Sequence, residues 1–406
     1  MLYMSFSWMI DQGILKHNQF ILLQLVPLLL FLHLFSVRRV NVTFKPKSIT
    51  VFFSLIVVFS SLYNAVYVVP MLLNIRWLIL PFFVYLVLIN MKLKEEELKG
   101  LVRFVFIMGL VQIPLGIIKY FILNWHGETT LGLISHSGST YLVSIAFAFI
   151  IAYAPSNSLM KNVLLFVGFV MVAVSSAKRA VVILLPFIFI MFMYINRDNA
   201  KRNFRMFIYA LLLLPFFIYA LVRLSPTLNP DHKVWGRFDM DYTLSYVMEY
   251  EDVNRKTGNY ATANRTGTTM LILNESLSNP FNFLLGFGGD KLSKSMKDVG
   301  SLRDLNKKVE YGYNGFTWLL YQFGIIASVI WFMFFYKFKN IAMKIIKKTK
   351  SSFWKAYAKG IYATAIFMSV FQFVYSAEYK NTELISLVYI LFAVTLIYNK
   401  KYANNH

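Results

Sequence analysis

The 406-residue chain contains no cysteine. Disulfides and thiolate metal sites are thereby excluded, and the sequence carries no mark of its redox compartment. Histidine is scarce: six residues, at 17, 33, 126, 136, 232 and 406, show no i, i+4 ligand spacing, so no zinc site is indicated. Charge is scarce as well, at 15% of residues, against about 25% in ordinary soluble domains. The opening "MLYMSFSWMIDQG" has neither a basic n-region nor a small-residue cleavage site. No cleavable signal peptide is therefore expected, and the first apolar helix should act as its own insertion signal.

What is present is apolar. Hydrophobic residues make up 58% and aromatics 17%, and mean hydropathy is +0.56. These values predict an all-α polytopic membrane protein. About eleven windows are long and charge-free enough to cross roughly 30 Å of hydrocarbon. They fall at 18–36, 50–69, 71–90, 101–123, 138–154, 160–176, 180–196, 204–222, 314–335, 356–375 and 382–399. Pro27, Pro81, Pro114, Pro186 and Pro215 lie inside them, which bundled helices tolerate when neighbours satisfy the freed backbone groups.

Lysine and arginine in short loops set orientation. Arg38, Arg39, Lys45 and Lys47 crowd the first loop; Lys92, Lys94, Lys99 and Arg103 the third; Arg197, Lys201, Arg202 and Arg205 the seventh. Lys161 marks the fifth, Lys337, Lys339, Lys344, Lys347, Lys348 and Lys350 the ninth, and Lys400 and Lys401 the tail. The predicted topology is N-terminus outside, C-terminus inside. Three regions follow: membrane helices over 1–222, a large extracytoplasmic loop over 223–313 that caps them, and further helices with a cytoplasmic tail over 314–406. Between 223 and 312, 12 Lys or Arg face 11 Asp or Glu, leaving 29 against 8 elsewhere. The basic excess is thus topological, and no nucleic-acid partner is expected.

Two features depart from a plain bundle. "SSAKRAVV" (175–182) puts Lys178 and Arg179 in a short outer connection, where positive charge opposes the insertion rule and suits an anionic ligand. Snorkelling to lipid phosphates is the bland explanation. The 90-residue outer segment is too long for a simple connection. Within it, "NRTGTTMLILNESLSNPFNFLLGFGGD" predicts a helix opening near Thr266 or Thr268, just after Arg265, and stopped by "NP". A helix start beside an arginine suits phosphate oxygens, although Arg265 could equally pair with a loop carboxylate. Gly286, Gly288 and Gly289 fit a tight turn but no nucleotide-binding fingerprint. Asp239 and Asp241 spell a D-x-D, a spacing common by chance, and no metal is assigned to it.

These pieces, in this order, resemble the bacterial O-antigen polymerase and O-antigen ligase superfamily, membrane glycosyltransferases that move glycans off undecaprenyl pyrophosphate. The resemblance covers roughly 130–330. The family's "SR" turn is matched by "SSAKRAVV", with Arg179 as its arginine. Its loop arginine and "P-x-x-G-x-G"-like segment are matched by Arg265 and "NPFNFLLGFG", and its "HN" helix start by Tyr313 and Asn314 in "YGYNGFTWLLYQFGIIA". "LGLISHSGSTYLVSIAFAF", with His136, resembles the turn before the family's fifth helix.

The resemblance implies a GT-C-like fold without a cofactor in the bacterial cytoplasmic membrane, acting on the extracytoplasmic side. Donor and acceptor would be undecaprenyl-pyrophosphate-linked oligosaccharides, with a chain-length regulator and a flippase as partners. Arg179 and Arg265 would stabilise the departing pyrophosphate, with Lys178, Arg76 and Arg237 in support and Asn314 as a further substrate ligand. The family histidine is Tyr313 here, and a phenol is a poor base near neutral pH. Glu310, Asp290 and His136 are the alternative bases, and the substitution favours polymerase over ligase. Trp235, Tyr260, Tyr311 and Tyr313 could stack on sugars or pack the loop's own core. A lipid-linked oligosaccharide flippase is the rival of another class. It predicts internal repeats and midplane charges, whereas the predicted helices hold few charges and show no repeat.

Overall fold

The computed structural model describes residues 45–64, 81–123, 139–153, 228–250, 256–257, 260–261, 265–288, 314–374 and 382–402, with isolated positions within 29–36, 161–171 and 208–223. In these residues the architecture is α-helical. The helices are α1 (Lys45–Tyr63), α2 (Pro81–Asn90), α3 (Glu95–Phe121), α4 (Ser139–Tyr153), α5 (Met240–Tyr250), α6 (Arg265–Leu277), α7 (Pro280–Leu285), α8 (Gly315–Lys348), α9 (Ser352–Val374) and α10 (Thr382–Lys401). One antiparallel ladder, β1 (Lys256–Thr257) with β2 (Tyr260–Ala261), pairs Thr257 with Tyr260. Among the described residues, Glu95–Phe121, Gly315–Lys348 and Leu384–Lys401 are long and apolar enough to cross a membrane. The expected spans 18–36, 160–176, 180–196 and 204–222 lie largely or wholly outside the described residues.

Aromatic side chains weld α8, α9 and α10 together. Phe338 stacks on Phe392 with ring centroids 3.7 Å apart, and Trp354 on Tyr398 at 4.0 Å. Phe53 of α1 meets Trp331 of α8 at 5.5 Å. All six rings are buried. Inside a bilayer, where lipid is as apolar as leucine, close packing of this kind holds helices together.

Three boundary expectations are corrected. Five of the six lysines assigned to a ninth loop belong to helix: α8 runs on to Lys348, and only Lys350 lies in the short turn that precedes Ser352. Lysine is a good helix former, so the helix continues where hydropathy stops, with Lys339 lying 4.2 Å from the Tyr336 ring. Lys45 and Lys47 likewise fall in the first turn of α1 rather than in a loop. At the start of α3 the helix begins six residues before position 101. Glu95, Glu96 and Glu97 occupy its first turn, where carboxylates oppose the positive end of the helix dipole. The Lys94 amide donates to Glu97 Oε2 at 2.6 Å, and Trp354 Nε1 donates to Glu95 Oε1 at 2.8 Å, fastening α3 to α9.

The fourth correction concerns continuity. The 314–335 span was read as one helix, yet Gly324 has φ 76° and ψ −179°, and α8 is two helices meeting at a break.

Candidate functional site

The break in α8 is where the segment between the eighth and ninth spans docks. A break in an apolar helix leaves backbone groups without helical partners, and here protein meets the carbonyls of Tyr321 and Gln322. Phe287 N–H donates to Tyr321 O at 2.8 Å and Gly288 N–H to Gln322 O at 2.9 Å. The Ser60 hydroxyl of α1 also donates to Gln322 O, at 3.2 Å. Asn64 Nδ2 closes the ring, donating to Gly286 O at 3.0 Å and Ser60 O at 2.8 Å. The Phe287 and Tyr321 rings stack at 4.5 Å.

Local sequence explains how the segment reaches that place. Asn279 Oδ1 accepts from Phe281 N at 2.9 Å and caps α7, with Pro280 in its first turn. Proline suits that position because its missing N–H would lack a helical partner anyway. The expected "NP" stop is therefore also a start. Gly286, at φ 75°, then ends α7 in a conformation that favours glycine.

At its head, α8 is capped by Asn314. Asn314 Oδ1 accepts from Thr317 N at 2.8 Å, and the Asn314 amide donates to Thr317 Oγ1 at 3.0 Å. Asn314 Nδ2 reaches Thr269 Oγ1 at 3.4 Å. Thr269 lies one turn beyond Arg265, which is the first residue of α6 rather than a residue ahead of it. Two of the expected site residues, Arg265 and Asn314, thus sit on elements that are directly bonded. The structure gives the Asn314 side chain a capping role, which the sequence reading as a substrate ligand did not foresee.

Arg237 stands apart from this unit. Its guanidinium pairs with Asp239 at 3.6 Å and its backbone N–H donates to Asp231 Oδ2 at 2.8 Å. Asp239 Oδ1 also accepts from Tyr242 N at 2.9 Å, capping α5. One half of the D-x-D is thus committed to a cap and an ion pair, and no group of three or more His, Asp or Glu gathers among the described residues. Trp235 is 58% exposed, with φ 64°, and Tyr260 lies in β2. Arg179, Lys178, Arg76, His136, Asp290, Glu310, Tyr311 and Tyr313 lie outside the described residues.

Three residues escaped the sequence reading. Gln322 is 1% exposed beside the break, and its Oε1 has no hydrogen-bond partner among the described residues. A polar group buried in a membrane-crossing helix is by default a functional candidate, and the signal was a lone glutamine two positions before a glycine in an apolar run. Lys119 of α3 is 6% exposed, a cation facing the protein interior near the end of a span. Arg223 lies against two rings, 5.6 Å from Tyr219 and 5.5 Å from Trp235, and its Nε donates to Gly236 O at 3.0 Å. Beside it, the buried Asn229 Nδ2 donates to Lys233 O at 2.9 Å. No protein-family model matches the chain, and no curated protein matches it.

Proposed function

We propose that this chain is a bacterial membrane glycan polymerase. It transfers a growing glycan from undecaprenyl pyrophosphate onto a sugar hydroxyl of another lipid-linked repeat unit, on the extracytoplasmic side of the cytoplasmic membrane. The glycosidic bond to the donor phosphate breaks, a bond to the acceptor oxygen forms, and the acceptor proton leaves to a base among Tyr313, Glu310, Asp290 and His136. Arg179 and Arg265 hold the departing pyrophosphate.

One observation carries the reading: the loop-arginine helix, the "P-x-x-G-x-G"-like segment and the helix opened by Asn314 form one hydrogen-bonded unit on α8. Sequence pieces that share a site should share a neighbourhood. The discontinuous α8 favours the flippase as second reading, since broken helices at membrane depth recur at transporter binding sites. A ligase joining glycan to lipid A core is the remaining alternative.

The test is complementation of a polymerase-null strain with wild type, Arg179→Lys and Arg265→Lys, read as a surface-polysaccharide ladder. Lysine keeps the charge and loses the bidentate fork. Single repeat units from both variants, at normal membrane levels, are expected. An unchanged ladder overturns the arginine roles. If wild type restores no ladder, polymerase gives way to ligase or flippase, which the corresponding null strains separate.

A further inference from the structure

The segment that docks on α8 leaves an apolar face uncovered. Leu277 is 60% exposed, Phe281 59% and Leu284 42%. Water is a poor neighbour for such a patch, and two independent observations say what covers it.

The first is continuity. α1 turns a stripe of Phe52, Leu55, Phe59 and Leu62 outward, each more than half exposed, on a helix whose opposite face packs against α8 through Phe53. In a membrane-embedded bundle an outward apolar stripe faces lipid. Tyr63, at the end of that stripe, stacks on Phe281 with centroids 6.2 Å apart and planes inclined by 26°. The α7 face therefore extends the lipid-facing surface of α1 without a gap.

The second is depth. The first charged residue after the break, Lys337, lies 13 positions beyond Gly324, or roughly 20 Å of helix. In a hydrocarbon layer of about 30 Å, the break then lies roughly 10 Å below the opposite boundary. α7 ends at the break, because Gly286 lies against the Gln322–Phe323 backbone and Gly324 against the Leu284–Leu285 backbone. A segment bonded at that depth meets lipid, protein or a water-filled cavity, and the apolar face it shares with α1 favours lipid.

We propose that residues 277–285 form a re-entrant segment, with Leu277, Phe281 and Leu284 against the acyl chains of the leaflet farther from the α8 lysines. The segment spans nothing; it dips in and is held there by the α8 break. Glu275, exposed two positions before the segment, marks where the chain meets water. This placement stands whether or not the polymerase reading does, because it concerns lipid contact and not chemistry.

The absence of native cysteine makes the test direct. Full-length Leu277→Cys, Phe281→Cys and Leu284→Cys, with Phe59→Cys as lipid reference and Glu275→Cys as aqueous contrast, are nitroxide-labelled and reconstituted in phosphatidylcholine–phosphatidylglycerol vesicles. Collision rates with oxygen, which concentrates in acyl chains, and with a water-soluble nickel chelate are then compared. The oxygen-to-nickel ratio at 281 and 284 is expected to match that at 59 and to exceed that at 275 severalfold. Nickel access at 277, 281 and 284 equal to that at 275 overturns the proposal in favour of a water-facing cap. Exclusion of both reagents overturns it in favour of a protein-covered face. Leu277 makes no part of the Tyr63–Phe281 stack, so its label reports even if the variant at 281 perturbs that contact.

Discussion

Gly286 and Gly324 share one close main-chain crossing, Gly286 lying against the Gln322–Phe323 backbone and Gly324 against the Leu284–Leu285 backbone. A Cβ on Gly286 would lie 2.5 Å from the Gln322 carbonyl, and one on Gly324 would lie 2.1 Å from Leu284 O. Both have positive φ, 75° and 76°. Alanine at either position therefore meets a strained backbone and an overlap with main chain that no rotamer relieves. Each replacement is expected to cost about 2–4 kcal/mol, read as a lowered thermal midpoint in detergent. Because both disrupt one contact, the double variant should lose less than the sum of the two.

Asn314 separates capping from ligand binding. Asn314→Ala should cost about 1 kcal/mol through loss of the cap, whereas Asn314→Asp keeps an oxygen for the Thr317 amide and should hold the thermal midpoint. If Asn314→Asp is as stable as wild type and still yields no polysaccharide ladder, the amide has a second task beyond ordering α8.

At the other end of the bundle, the Trp354 indole N–H is buried with Glu95 as its acceptor. Glu95→Ala leaves that donor without its carboxylate and should destabilise by about 1–3 kcal/mol. Glu95→Gln retains an acceptor oxygen and should recover most of the loss in the same melting experiment.

Arg223 holds the 228–239 turn through its guanidinium, which touches Tyr219, Trp235 and Gly236 together. Arg223→Lys preserves charge but cannot reach all three. The expected cost of about 1.5 kcal/mol corresponds to roughly tenfold faster protease cleavage within that turn when opening is rapid. Unchanged cleavage would show that Asn229 and Asp231 fix the loop without Arg223.

Hydropathy made the helices of 101–123, 138–154, 314–335, 356–375 and 382–399 legible, because the cost of desolvating charge is a property of composition. It misplaced their ends for the same reason. Lys344 and Glu95 are unwelcome in hydrocarbon and welcome in helix, and a transfer scale registers only the first. The break at Gly324 was illegible in a stronger sense. Nothing in "LLYQFGIIA" distinguishes a glycine packed inside a helix from one at a break until the Leu284–Leu285 backbone, some 40 positions earlier, is known to lie against it. The role of Asn314 could be read as a position but not as a cap, since asparagine serves equally as ligand and as helix start.

The Ser60 to Gln322 hydrogen bond joins residues 262 positions apart. At ribosomal speeds of about 5–20 residues per second, α1 waits for tens of seconds in the membrane before its partner is synthesised. The Asn64 to Ser60 O bond lies within one helix and can form early, while the Ser60 hydroxyl bond needs Gln322. Biogenesis thus ends with a late closing step, and the nascent chain is most vulnerable to quality-control proteases before residue 322 arrives. Variants at the two glycines would then be seen first as protein that never accumulates.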